Sequence, residues 1–307
     1  MYDKSDPRSA LASKGAPAGP KTGLVAEPQE AYFYHEAPQI ADASGKSWLV
    51  RGHNFILVWT EAVEGGTFAR RNQPDEYAVF LPKEGATIEW NGTTTDVPGW
   101  SIAFVPAGDS TITLADGGRM TRLFSIRSED LAEICSNVRG YDAERSHIPA
   151  FEPWPDPIGG WKVRHYSLDV PAEEGRFGRI FRCTTMMINV LDPFDGPRDS
   201  TKMSPHHHDD FEQCSLAIEG QFDHHLRWNW TTDMADWRDD RTVSMASPSA
   251  LVIPPPVIHT TRASGEGRNQ LVDIFCPPRT DFSEKPGWVL NAADYPMPGE
   301  AADGNTE

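Results

Sequence analysis

The chain has few cysteines, four in 307 residues at positions 135, 183, 214 and 276, and no two of them form a Cys-x-x-Cys pair. That excludes a zinc ribbon and argues against the disulfide framework of small secreted domains, so buried free thiols are expected. Basic residues are short as well, 28 against 45 acidic ones for a formal charge of −17. No Lys/Arg-rich run or aromatic-interleaved basic patch is present to track a phosphate backbone, and nucleic acid is not an expected partner. An anionic substrate would be repelled at long range and would need local arginines to hold it. No apolar run approaches the roughly 20 residues of a spanning helix. The first 23 residues, rich in Pro, Gly, Ala and Ser, lack the basic-then-apolar pattern of a secretory leader. The expectation is a cytoplasmic protein without a membrane partner. Histidine is missing throughout residues 54–146.

What is present is a texture of short apolar or alternating runs. Trp48–Val50, Phe55–Trp59, Tyr77–Leu81, Ala86–Trp90, Ser101–Val105 and Thr111–Leu114 follow one another at close intervals, punctuated by Gly, Pro, Asn and Asp. That is the pattern of an all-β sandwich or barrel. One helix is expected from Glu129 to about Asn137, capped by Ser128, with Leu131, Ile134, Cys135 and Val138 on one face. A second β series follows a proline-rich stretch, and Ser101–Gly108 superposes on Ser249–Pro256 without a gap, which points to internal duplication. The expected organisation is an arm at 1–27, a first domain at 28–140, a linker at 141–160, a second domain at 161–290 and a tail at 291–307.

The densest chemistry lies in Ser204–Gly220, SPHHHDDFEQCSLAIEG. Imidazoles and carboxylates are the donors that borderline divalent metals prefer, and two residues separated by one on a strand point to the same side. His206 and His208 can therefore share one ion, while His207 points away. The run is internal and leads into an apolar segment, unlike an appended tag. In the superposition of the two halves, Thr111 of the first falls on His259 of the second.

These residues resemble the cupin superfamily. Its first motif is His-x-His, four residues, Glu, six residues, Gly, and its second contains Pro-x-Gly, two residues, His. The chain offers His206-x-His208, four residues, Gln213, six residues, Gly220, and then Pro254-Pro255-Pro256-Val257-Ile258-His259. The resemblance implies two tandem cupin barrels (double-stranded β-helix, jelly-roll) with a few short helices. It also implies that His206, His208, Gln213 and His259 converge on one divalent ion, iron foremost, with manganese, nickel or zinc as alternatives. Gln213 stands where the family has Glu, and Pro256 where it has Gly. Glu212 is the alternative fourth ligand, or a residue lying behind the ligands, but neighbours on a strand face opposite sides, so using it as a ligand requires a bulge. The resemblance makes the first half a degenerate cupin: its counterpart of the metal strand, Arg70–Leu81, contains no histidine, and Glu76 is the residue that echoes the acid. By resemblance a homodimer is expected.

Around this site, Arg182 shares a parity with Ile180, Thr184 and Met186 and is the candidate anchor for a substrate acid group; a buried arginine needs a carboxylate partner. His224 has the parity of Phe222, Leu226 and Trp228 and faces the barrel core or the pocket wall, while Arg227 has the opposite parity. The segment Arg227–Trp237 reads as a lid or wall, and its rings, Trp228 among them, suit a planar or cyclic ligand. A small molecule bearing a carboxylate or an enol is the expected substrate. The resemblance implies a non-haem iron dioxygenase. The alternatives are a non-redox isomerase, lyase or decarboxylase of a sugar-acid type substrate, and a non-catalytic ligand-binding bicupin.

Overall fold

The apolar runs of the sequence are short because glycine, proline or Asn/Asp turns close them, and such runs pair most readily with their neighbours as antiparallel strands. The computed structural model describes residues 25–142, 147–171, 173–209, 211–231 and 233–299. Most of the expected arm (1–24), part of the linker (143–146) and the end of the tail (300–307) lie outside the described residues.

Two barrels result, each a large sheet facing a small one. In the first, the large sheet runs in the order Arg164–Ser167, Ser101–Val105, Tyr77–Leu81, Gly118–Ser125, Phe55–Ala62, Gly45–Arg51, Ile40–Asp42, opposite Gly66–Gln73, Gly108–Leu114, Ala86–Trp90 and Thr93–Val97. In the second, the order is Gln29–Ala31, Ser249–Ile253, Glu212–Glu219, Arg268–Cys276, Met187–Val190, Arg179–Arg182, opposite Arg241–Ala246, Gln221–Arg227 and Ile258–Ala263. The fold is all-β apart from short helices, with the jelly-roll arrangement the sequence implied. No described helix is long and apolar enough to cross a membrane.

Two strands cross the expected domain boundaries. Gln29–Ala31, from the first half, pairs with Ser249–Ile253 of the second barrel, and Arg164–Ser167, from the second half, pairs with Ser101–Val105 of the first. The exchange is reciprocal, because Ser101–Val105 and Ser249–Ile253 are the duplicated strands. Pairing also fixes the internal equivalence: Tyr77 lies opposite Val105 as Gln213 lies opposite Ile253. Tyr77 is thus the counterpart of Gln213, and Glu76 that of Glu212, which corrects the expectation that Glu76 echoes the metal-site acid. The Tyr77 hydroxyl bonds Ser110 Oγ at 2.9 Å and its ring stacks on Phe124, so aromatic bulk fills the place where the second barrel gathers histidines. The expected helix is shorter than its pattern. It spans Glu129–Ala132, Ile134 and Val138 are exposed, and Ser128 Oγ bonds Gln73 rather than capping.

The central core lies between the two large sheets. Trp59, Phe80, Phe104 and Leu123 from the first meet Cys214, Leu216, Val252 and Ile274 from the second. All four cysteines are buried free thiols. Within this apolar layer Glu76 is a buried hub. It accepts hydrogen bonds from Thr184 N and Oγ1, both at 3.0 Å, and from the Tyr295 hydroxyl at 2.7 Å. Burial raises its carboxyl pKa, against the pull of those donors. Tyr295 and Asn291 are themselves buried, so the tail expected from 291 onward begins as packed structure.

Glu76→Ala should leave Thr184 N–H and the Tyr295 hydroxyl unpaired in an apolar layer, at about 1–3 kcal/mol for each orphaned group. Because the hub joins both barrels, urea unfolding of the variant is expected to stay a single transition at lower midpoint. Separate transitions for the two barrels, or an unchanged midpoint, would contradict this.

Candidate metal centre

The strand Glu212–Glu219 is bonded on both edges, to Ser249–Ile253 and to Arg268–Cys276. Its residues therefore cannot rotate, and alternation decides what each one faces. Gln213 and Ser215 point into the barrel, while Glu212, Cys214 and Leu216 point to the first barrel. Gly220 ends the strand at φ +89°, where an added Cβ would lie 2.2 Å from Asn269 Oδ1, so the turn admits only glycine. That is a structural reason for the glycine of the motif.

Opposite this strand, His206 and His259 form an isolated antiparallel bridge, His206 N to His259 O at 3.0 Å and His259 N to His206 O at 2.7 Å. Residues paired in this way project their side chains to one side, and the imidazole centroids are 4.4 Å apart. His208 joins them at 5.0 and 5.3 Å. All three rings are buried, and one nitrogen of each lies within 4.8 Å of the others. His206 Nδ1 meets Ser204 O at 2.8 Å, and His259 Nδ1 meets Val257 O at 2.9 Å. A carbonyl only accepts, so both Nδ1 atoms carry the proton and both Nε2 atoms present lone pairs.

Gln213 Oε1 lies 3.0 Å from His208 Nε2 and 3.3 Å from His259 Nε2. Two ligands at right angles on an ion with bonds of about 2.1 Å are separated by about 3.0 Å, so these spacings are those of one coordination shell. The amide oxygen is fixed by what lies behind it. Gln213 Nε2 donates to Ser215 Oγ and to Asp273 Oδ1, each at 3.1 Å, and Ser215 Oγ donates to Asp273 Oδ1 at 2.9 Å. The residues present therefore fit a divalent ion held by three imidazoles and one amide oxygen.

Aromatic side chains wall the site. Phe211 stacks on His208 with centroids 4.4 Å apart, and Phe275 lies edge-on at 6.2 Å. Arg279 stands over the rings of Phe211, Phe275 and Phe282 and binds Asp281 with Nε and Nη2, at 3.0 and 2.6 Å. Burial pushes the His208 pKa well down, and Arg279, His206 and His259 push it further, so the ring stays neutral and available to a metal.

The other sequence candidates divide. Trp228 is buried in the barrel wall with Leu226 and Val257, next to the His259 strand. His224 is buried on the lumen face, its Nδ1 2.9 Å from Thr261 Oγ1, while Nε2 is buried without a hydrogen-bond partner. Burial holds its pKa down to about 3, aided by His259, so it too is neutral. His207 points away and lies 3.7 Å from Asp209. Trp230 and Trp237 stack on one another at the surface, Trp230 being 76% exposed.

Three expectations are corrected. Glu212 neither faces the histidines nor lies behind the ligands. It points between the barrels, accepting from His53 N and from the Tyr141 hydroxyl at 2.9 Å, as the alternation of an unbulged strand requires. Arg182 is no substrate anchor: it lies on the edge strand of the large sheet, its Nε and Nη2 donate to the Tyr295 carbonyl and its guanidinium lies over Trp154. The Tyr295 carbonyl and the Trp154 ring are partners that parity had not suggested. Arg227 bonds Asp240 at the exposed surface. What sequence reading missed is Ser215, Asp273, Phe211, Phe275 and Arg279. A lone Asp inside Leu271–Phe275 was the available signal for the second; nothing marked Arg279.

No protein-family model matches the sequence, and no curated protein matches it. Solved structures do match in fold. An oxalate decarboxylase formate complex from Lactobacillus farciminis is 14% identical with a TM-score of 0.56, covering 82% of this chain and 87% of its own. AerE from Microcystis aeruginosa is 8% identical with a TM-score of 0.52, covering 82% and 98%. With the two-barrel topology described above, these likenesses show a shared two-barrel, cupin-type fold. The second barrel carries a His206–His208–His259 triad that could hold a metal ion.

His206→Ala and His259→Ala are each expected to abolish stoichiometric binding of added Mn²⁺ by equilibrium dialysis while leaving the far-ultraviolet circular dichroism unchanged. Gln213→Ala should weaken binding about 10-fold or more, and Glu212→Ala should not. Glu212 has its own signature. Burial raises its carboxyl from the usual 4.5 to about 7, against the donors His53 N and Tyr141. The folded protein then holds the proton more tightly than the unfolded chain, so the carboxyl's contribution to stability is fully present below pH 4.5 and is lost as pH rises to about 7. In chelator-treated protein, Glu212→Gln should flatten that leg of the stability curve, by up to about 3 kcal/mol between pH 4.5 and 7.5. Parallel wild-type and variant curves would contradict the assignment.

Proposed function

We propose that the chain is a metal-dependent bicupin enzyme acting on a small substrate that carries a carboxylate or an enol, and that with iron it works as a non-haem dioxygenase. One observation carries the reading: three imidazoles and an amide oxygen surround one point walled by Phe211 and Phe275. Four protein donors leave positions open on a five- or six-coordinate ion, which a structural site does not do. An iron(II) ion there would supply oxygen activation, and a non-redox ion would supply Lewis acidity.

The chain's own residues supply the rest. The two carbonyls on the Nδ1 atoms of His206 and His259 fix both rings, and the aromatic wall excludes water and presents flat faces to a planar substrate. The barrel interior is dry enough that His208 and His224 stay neutral, which keeps protons from competing for the donor atoms. The degenerate first barrel supplies the strand Gln29–Ala31 and the back of the central core.

A second reading is a non-redox decarboxylase, isomerase or lyase. It is favoured by the neutral Gln213, which leaves an ion more electrophilic than a carboxylate would, and it is compatible with the likeness to oxalate decarboxylase. The test is metal analysis of the purified protein, followed by turnover of enol-bearing and dicarboxylate substrates in air and under argon. The expected result is stoichiometric iron and O₂ uptake that is lost in His259→Ala. Turnover unchanged under argon would select the second reading, and absence of stoichiometric metal would sink both.

A further inference from the structure

We propose that Asp273 is the residue that makes Gln213 a competent metal ligand, restoring one layer deeper the negative charge that a glutamate at position 213 would have supplied. The proposal rests on the metal reading of the triad.

An amide can present either its oxygen or its NH₂ to an ion, and only the oxygen coordinates. In this barrel both amide hydrogens are committed, one to Ser215 Oγ and one to Asp273 Oδ1, each at 3.1 Å. Turning the amide over would set its oxygen against the Asp273 oxygen, acceptor against acceptor, and would aim its NH₂, which has no lone pair to give an ion, at the point the triad surrounds. The two opposed acceptors would be buried, where each unmet group costs about 1–3 kcal/mol. Ser215 cannot relieve the clash, because its hydroxyl hydrogen is spent on Asp273 at 2.9 Å.

The position of Asp273 is set by register. It pairs directly with Ser215 and sits diagonally behind Gln213, whose own partner is Phe275. Gln213, Ser215 and Asp273 are all buried. A carboxylate accepting from the amide nitrogen also draws electron density toward Oε1, since hydrogen bonds in a chain polarise one another in a low-dielectric interior. Gln213 with Asp273 thus does jointly what a glutamate does alone, with the charge about one hydrogen bond further from the ion. Asp273 is a positioning residue and touches neither ion nor substrate.

The charge-swap experiment separates this role from a merely structural one. Affinity for Mn²⁺ would be measured at one pH by equilibrium dialysis on wild type, Asp273→Asn, Gln213→Glu and the double variant. Replacing the group behind a metal ligand typically lowers affinity about 10- to 100-fold, and that is expected for Asp273→Asn. Gln213→Glu alone puts two carboxylates in contact and should gain no affinity over wild type. The double variant, with the carboxylate moved to 213 and an amide behind it, should bind within a few-fold of wild type and more tightly than either single variant. Should Asp273→Asn prove poorly folded, the comparison of Gln213→Glu with the double variant reads the same coupling. Wild-type affinity in Asp273→Asn, or a double variant no better than the singles, overturns the proposal while leaving the metal site standing. A wild type that takes up no Mn²⁺ overturns both.

Discussion

The register of one strand governs the molecule. Glu212–Glu219 is hydrogen-bonded on both sides, so its alternation cannot slip, and a slip of one residue would exchange its two faces. One face carries Glu212, Cys214 and Leu216 to the central core and to Tyr141 of the first half. The other carries Gln213 and Ser215 to the histidines and to Asp273. The candidate metal centre and the union of the two barrels are thus opposite sides of a single element.

That sharing gives the degenerate barrel a physical role. Where the second barrel has Gln213 and a triad, the first has Tyr77 bonded to Ser110 and packed on Phe124, a plug rather than a site. Its large sheet still supplies half of the central core, and each half lends the other an edge strand. Barrels joined by exchanged strands and a buried Glu76 hub hold the metal strand from behind, where a lone barrel would expose apolar surface.

Much of this was legible in the sequence. Strand runs bounded by turn residues gave two all-β halves, and the spacing of His206, His208, Gln213, Gly220 and His259 brought together residues that the fold also brings together. The spacing to Gly220 and strand alternation together chose Gln213 over Glu212. Parity failed for Arg182 and Arg227, because it distinguishes two faces but not what covers them: the Tyr295 carbonyl covers one and Asp240 binds the other. The strand exchange was not legible, since Gln29–Ala31 and Arg164–Ser167 are too short to declare a partner. Asp273 and Arg279 act through cross-strand and cross-loop neighbours, which a one-dimensional pattern does not contain.

The electrostatics of the site follow from groups that do not touch the ion. The protein is strongly acidic, yet the acidic group hydrogen-bonded to the candidate donor set is one carboxylate, Asp273, behind Gln213. Arg279, over Phe211 and Phe275, adds to burial in depressing the His208 pKa and carries Asp281 as its counter-charge. Negative charge behind one ligand and positive charge behind another orient a field across the donor set, in an interior where burial weakens screening.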